Sequence, residues 1–248
     1  MVMKQILVMM AAVLGQSVAA NDNLIADAIV EKAVRIELKK PEGELAEKDL
    51  KKVTFLSLTA TRITNQGLKE VAKLEKLKVL WLRYEQITDA GLKEVAKLQQ
   101  LEQLYLFHTK ITDAGLKELA KLQNLKYLHL TETKITDAGL KEVTKLKNLT
   151  SLDLRGTQIT DEGLKEVAKL QKLEKLSLWD TKATKAGVAE LKKALPKCRI
   201  RPPLFYPVEL LERIGKPPKG LVRCFSRCAF NHTLNAGYPQ VVFCLRAA

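Results

Sequence analysis

The sequence predicts an α/β solenoid in which every turn contributes one short parallel strand and one short helix. Three observations predict it. Ile63, Ile87, Ile111, Ile135 and Ile159 recur 24 residues apart, with Ala183 in the sixth place. Gly67, Gly91, Gly115, Gly139, Gly163 and Gly187 keep the same step, and Leu98, Leu101, Leu104 and Leu106 return as Leu122, Leu125, Leu128 and Leu130 and again as Leu146, Leu149, Leu152 and Leu154. Within each unit two hydrophobic rhythms alternate: LYLF and LHLT have the period of a strand with one buried face, whereas GLKELAKL has helical spacing. A period in this range marks stacked repeats, each too small to bury its own apolar face.

The first twenty residues stand apart from the fold. Lys4 precedes an unbroken apolar run from Ile6 to Leu14, and Ser17/Ala19 or Val18/Ala20 supply the small residues of a cleavage site. The pattern predicts a signal peptide over 1–20 and an exported product: periplasmic, cell-surface or secreted. The apolar run is too short to cross a bilayer, and no later segment reaches the roughly 20 residues that spanning needs.

Residues 21–62 read as an N-terminal cap with a degenerate first repeat. Asn23 to Lys32 suggests a short helix, Ala33 to Leu38 a strand in which Val34, Ile36 and Leu38 alternate, and Glu44 to Lys51 a shortened helical turn. Five full repeats then occupy 63–182. In four of the five, a Thr followed by an acid, such as Thr112 with Asp113, opens the helix: the hydroxyl caps exposed amides and the acid suits the positive end of the helix dipole. Helices of two or three turns are marginal alone, so Leu116 and Leu119 must be buried against the strand leucines. A capping repeat covers 183–201, where Lys197 to Arg201 reads as the last strand and Pro202-Pro203 stops it.

LxxLxLxxT followed by ITDAGL resembles a leucine-rich repeat of the class with a helical convex side, similar to ribonuclease-inhibitor-like and F-box-adaptor repeats. The likeness covers about residues 50–201. Nearest in pattern are bacterial exported repeat proteins with TDAGLKEL arrays and an ending like GVAELKKALPKCRI, here Gly187 to Ile200. The resemblance implies a right-handed solenoid bent into a horseshoe arc, with parallel strands on the concave face, short helices on the convex face, and protein–protein recognition as its use. Many such repeats place Asn or Cys after the strand. This chain has Thr61, Thr109, Thr133, Thr157 and Thr181 there, whose hydroxyls can satisfy loop backbone, while Glu85 breaks the column.

What varies between otherwise repetitive turns is the outward strand positions. The central column reads Ser57, Trp81, Tyr105, His129, Asp153 and Ser177, and the column two residues earlier Phe55, Val79, Gln103, Tyr127, Ser151 and Lys175. Two residues later come Thr59, Arg83, Phe107, Thr131, Arg155 and Trp179, flanked by Ala60, Tyr84, His108, Glu132, Gly156 and Asp180. All the aromatics and histidines between 21 and 201 lie in these four columns. Strands favour aromatics in any case, but that does not explain why the repeats differ mainly there. The expected partner-binding residues on the concave face are therefore Trp81, Arg83, Tyr84, Tyr105, Phe107, His108, Tyr127, His129, Asp153, Arg155 and Trp179.

No catalytic residue, cofactor or metal is expected. His129, Asp153 and Ser177 share a column, but a serine nucleophile needs the His between itself and the Asp, and here the Asp is in the middle. A polar ladder of Tyr105, His129 and Asp153 is the alternative. No phosphate loop, HExxH or GxSxG motif occurs. On the helical side Lys69 and Lys73, with their counterparts in each repeat, form two lysine rows beside Glu70, Glu94, Glu118, Glu142 and Glu166, the pattern of a solvated helix face. Without aromatics among them these rows do not read as a nucleic-acid site.

The reading is a non-enzymatic binding module, expected to be monomeric, for a protein or an anionic cell-surface polymer. An intracellular F-box-like adaptor for a ubiquitin ligase would need a recruiting domain, for which residues 21–50 are too short. A purely structural envelope role is the third reading. The balance of 42 Lys and Arg against 28 Asp and Glu, net +14, favours acidic partners without naming one. After Ile200 the language changes: residues 202–248 hold six of the eight prolines, three of the four cysteines and two lysines, and read as an irregular tail or a non-native extension. Val208 to Ile214 suits one helical segment. Cys224, Cys228, His232 and Cys244 allow a metal site, disulfides or free thiols, and Cys198 reads as a buried cap residue.

Overall fold

The computed structural model describes residues 24–59, 61–83 and 86–203. The predicted signal peptide, Tyr84, Glu85, the segment Val208 to Ile214 and the Cys224, Cys228, His232 and Cys244 set lie outside the described residues.

Seven parallel strands form one sheet in strict sequence order: β1 (Phe55–Ser57), β2 (Val79–Arg83), β3 (Gln103–Phe107), β4 (Tyr127–His129), β5 (Ser151–Asp153), β6 (Lys175–Ser177) and β7 (Arg199–Arg201). Short helices alternate with them: α3 (Gly67–Val71), α4 (Asp89–Val95), α5 (Asp113–Leu119), α6 (Asp137–Val143), α7 (Asp161–Val167) and α8 (Lys185–Ala194). Register follows the sequence period without slippage, so Leu80, Leu104, Leu128 and Leu152 stack in line. One continuous core results. The strand leucines, the helical Leu92, Leu116 and Leu140, the loop leucines and the isoleucine column are all buried in a single cluster. At roughly 2 kcal/mol per fully buried leucine, the stack gains what no single 24-residue unit can.

The reason for ITDAGL is a ladder between turns. Asp89 accepts from both Thr112 N (2.8 Å) and Thr112 Oγ1 (2.7 Å), and Asp113 does the same to Thr136, Asp137 to Thr160 and Asp161 to Thr184. In the first joint Asn65 plays the part, accepting from Thr88 N and donating to Thr88 Oγ1 (2.7 Å). The glycine column exists to admit these side chains: a Cβ on Gly91 would lie 2.5 Å from Asn65 Oδ1, and the later glycines press as closely on their aspartates. Thr112, Thr136, Thr160 and Thr184 also cap their own helices, less firmly, as in Thr112 Oγ1 accepting from Ala114 N at 3.3 Å, whereas Thr88 makes no side-chain cap. The ladder, not the cap, is the stronger use of the threonine.

The post-strand threonines behave as expected where they can. Thr61, Thr133, Thr157 and Thr181 donate their hydroxyls to Leu58, Leu130, Leu154 and Leu178 carbonyls. Thr109 differs, its hydroxyl being buried without a partner, as is that of Thr131.

The N-terminal cap corrects one expectation. Ala33 to Leu38 is not a strand: it completes a helix, α1 (Ala28–Leu38). Asp27 opens it by accepting from Ile29 and Val30 amides, and Lys39 closes it in the left-handed conformation. Val30 and Val34, four apart, are its buried stripe, whereas Ile36 is 68% exposed. The alternation Val34, Ile36, Leu38 was thus a coincidence of helical spacing. Glu47–Leu50 forms the short α2, where Asp49 accepts from Ala46 N, Lys40 and Lys52. The Lys40 hydrogen bond, then those from Ala46 and Lys52, holds the Asp49 carboxyl far below its usual range. At the other end Cys198 is buried and free, and Pro202 and Pro203 follow β7.

Candidate functional site

The outward side chains of the sheet fall into the predicted columns, and the register makes neighbours of them. Ser57 faces Trp81, Trp81 faces Tyr105, Tyr105 faces His129, His129 faces Asp153 and Asp153 faces Ser177. On β1–β4 the result is a continuous aromatic run. Phe55 meets the Trp81 ring edge-on at 5.7 Å, Trp81 lies 5.1 Å from Tyr105, and Tyr105 lies 4.4 Å from His129. Ring pairs at these separations add about 0.5–1.5 kcal/mol each beyond the area they bury. Trp81 is still 37% exposed; among the described residues only it and Ile36 are exposed large hydrophobics.

Two predicted surface residues turn out to be buried. Phe107 is 7% exposed, tucked beside the rings of Tyr105 (5.9 Å) and His129 (6.2 Å). It supports the face and does not present to it. Asp153 is buried as well, and its partner is chiefly Arg155, whose Nε lies 2.9 and 3.0 Å from the two carboxylate oxygens and whose NH2 lies 2.8 Å away. His129 Nδ1 is 3.5 Å from Asp153 Oδ2. The expected polar ladder is therefore broken in two: Tyr105 stacks on His129 but donates its hydroxyl to Gln103 (3.1 Å), while Asp153 is neutralised by Arg155. Burial lowers the His129 pKa, Asp153 opposes this and Arg155 adds to it, so the ring is neutral at pH 7. Burial likewise raises the Tyr105 phenol.

The flanking column is a row of left-handed residues. His108, Glu132 and Asp180 have φ of 52°, 55° and 56°, and Gly156 has 65°. That conformation aims three of the N–H groups at the next turn: His108 donates to Thr131 O, Glu132 to Arg155 O and Gly156 to Trp179 O. Pattern reading missed this, although Gly156 among polar residues was the available signal. His108 Nδ1 lies 2.7 Å from Glu132 Oε2 across the joint, both side chains over a third exposed. Tyr127, Arg83, Arg155 and Trp179 are partly exposed in their predicted columns.

The helical face is saturated with short-range pairs. Lys73–Glu70, Lys97–Glu94, Lys121–Glu118, Lys145–Glu142 and Lys169–Glu166 are all i,i+3 contacts of 2.5–2.9 Å. One lysine row is thereby paired off. Among the described residues no group of three or more His, Cys, Asp or Glu is placed to hold a metal, and no helix is long and apolar enough to cross a membrane.

Architecture, period and ladder define a leucine-rich-repeat solenoid. Models of leucine-rich repeats match residues 99–142, as two copies, and residues 145–168. A leucine-rich-repeat protein of Leptospira interrogans is similar at 32% identity and TM-score 0.50, over 62% of this chain and 38% of that one. The chain thus spans well under half the length of that relative. An internalin C2 of Listeria monocytogenes aligns at 22% identity over 73% of this chain and 96% of that one, TM-score 0.44, and a second internalin of that species at 17% over 81% and 84%, TM-score 0.39. No curated protein sequence matches the chain. The chain thus carries leucine-rich repeats, and repeats of this kind indicate a protein-binding module.

Proposed function

We propose that the chain is a non-enzymatic recognition module that binds a protein or cell-surface polymer outside the cytoplasm through its sheet face. One observation carries the reading: where the turns stop being identical, they place Phe55, Trp81, Tyr105 and His129 edge to edge on an open surface, with Trp81 left exposed. A stacked aromatic row that leaves its tryptophan exposed fits the centre of an interface. Seven strands at about 4.8 Å spacing make a face roughly 29 Å across, suited to a macromolecule.

The experiment is a pull-down from the native organism's envelope with the full chain and with Trp81, Tyr105 and Trp179 changed together to Ala. Capture is expected to disappear in the variant while its circular dichroism stays unchanged. Retained capture excludes the sheet face as the binding surface and leaves the structural-envelope reading. Export itself is tested by fractionation and N-terminal sequencing of the mature product, with cleavage expected after Ala19 or Ala20; a cytosolic, uncleaved product favours the adaptor reading.

A further inference from the structure

The sheet face is chemically divided along its length. In the central column and the one before it, β1–β4 present Phe55, Ser57, Val79, Trp81, Gln103, Tyr105, Tyr127 and His129, with no fixed charge, and Arg83 in the following column is the cation of that half. Asp153, at the end of β5, and Arg155, two residues further on, cancel one another. On β6 and β7 the same columns hold Lys175, Arg199 and Arg201 with Ser177 between them. Lys175 faces Arg199 in register and Ser177 faces Arg201, so three cations crowd a patch two strands wide. All three are exposed, their strand partners Leu176 and Ile200 turning inward, and among the described residues they form no ion pair. Like charges set this close and left uncompensated are an unsatisfied half of an interaction.

Building on the proposed sheet-face recognition, we infer that the partner is an acidic protein segment that lays apolar side chains on Trp81 and Tyr105 and carboxylates over Lys175, Arg199 and Arg201. The two ends of the site are about four strands apart, about 19 Å at ~4.8 Å per strand. A segment crossing the strands spans that distance with about six extended residues or about 13 helical ones. A uniformly anionic polymer fits less well: it has nothing to place on the aromatic rings, and the cluster of three cations covers only the last two strands. Guanidinium groups suit paired carboxylates, since each offers a fork of donors matched to them.

Display of random 16-residue peptides on the full chain tests this, with two variants as parallel baits: Lys175→Glu/Arg199→Glu/Arg201→Glu and Trp81→Ala/Tyr105→Ala. Both sets lie on the outward face, and unchanged circular dichroism with a cooperative melt above the selection temperature certifies the baits. Wild-type selection is expected to enrich aromatic or branched residues at one end and Asp or Glu at the other, about six to 13 positions apart. The best peptide, resynthesised, loses at least tenfold in affinity on the charge-reversed bait and in 1 M NaCl, where the Debye length shrinks to about 3 Å. Peptides that need the aromatics but are indifferent to charge reversal overturn the acidic-partner assignment and leave sheet-face recognition standing. Peptides indifferent to both variants overturn both. Poly-glutamate or heparin binding as tightly as the selected peptide, unchanged on the aromatic variant, assigns the patch to a polyanion and overturns the inference.

Discussion

Two ladders run the length of this molecule at the same 24-residue step, and they are opposites. The loop ladder repeats one contact, an acid side chain gripping the threonine of the next turn with both oxygens, from Asp89–Thr112 to Asp161–Thr184. The sheet-face ladder never repeats: aromatic on aromatic, aromatic on imidazole, carboxylate on guanidinium, then bare cations. Identical joints carry stability because every turn must be joined to the next by the same geometry. Variable steps are free to serve the proposed recognition, because the backbone register is the same whichever side chains occupy them. The difference separates what the solenoid needs from what it is free to vary.

The largest break comes from the core both ladders share. Leu128→Ala removes a fully buried side chain between them, and urea denaturation should show a loss of about 3 kcal/mol. Asp113→Ala takes out two charge-assisted bonds to Thr136 and should cost about 1–3 kcal/mol. Asp113→Asn should be close to neutral, because Asn65 already makes both contacts to Thr88; a loss as large as that of Asp113→Ala would show that the charge, not the geometry, joins the turns. Gly139→Ala should destabilise by a similar amount, since its Cβ would strike Asp113. In the Asp113→Ala/Gly139→Ala pair the costs should fall short of additive, the collision partner being gone, although Leu116 still lies 2.9 Å from that Cβ.

The sheet face offers a pH test. Burial lowers the His129 pKa, so the unfolded chain takes up its proton first as pH falls. The contribution is complete above the ordinary histidine pKa near 6.5 and is lost as pH falls below it. Wild-type stability should therefore decline from about pH 6.5 towards 5 more steeply than that of His129→Gln, read from melting temperatures across the range. The smallest effect belongs to the helical face: Lys121→Ala breaks an exposed pair with Glu118 and should change stability by no more than about 0.5 kcal/mol.

Much of this was legible in the letters, for a physical reason. A leucine that recurs every 24 residues occupies the same environment each time, so period alone places the strands, the helices and the outward columns. Legibility failed where local pattern had no repeat to check it. Val34, Ile36 and Leu38 alternate like a strand, yet Asp27 and the Val30–Val34 stripe make them helical. Phe107 belongs to an outward column but is buried beside Tyr105 and His129, a matter of how neighbouring rings pack that spacing does not encode. The Asp–Thr–Gly joint was written in the sequence: three columns are held constant together, and only the need for contact between turns explains all three.

That joint also has ends. Asp27 comes up against Gly67 where a preceding turn's acid would stand, and the column that runs Asn65, Asp89, Asp113, Asp137, Asp161 closes with Lys185, which has no oxygen to offer a further turn. Between these stops each joint is head-to-tail and interchangeable, so whole turns can be gained or lost by tandem duplication without inventing new chemistry. The array is in that sense a ruler marked in strand widths: its copy number sets how far apart the two ends of its face stand, in steps of about 4.8 Å.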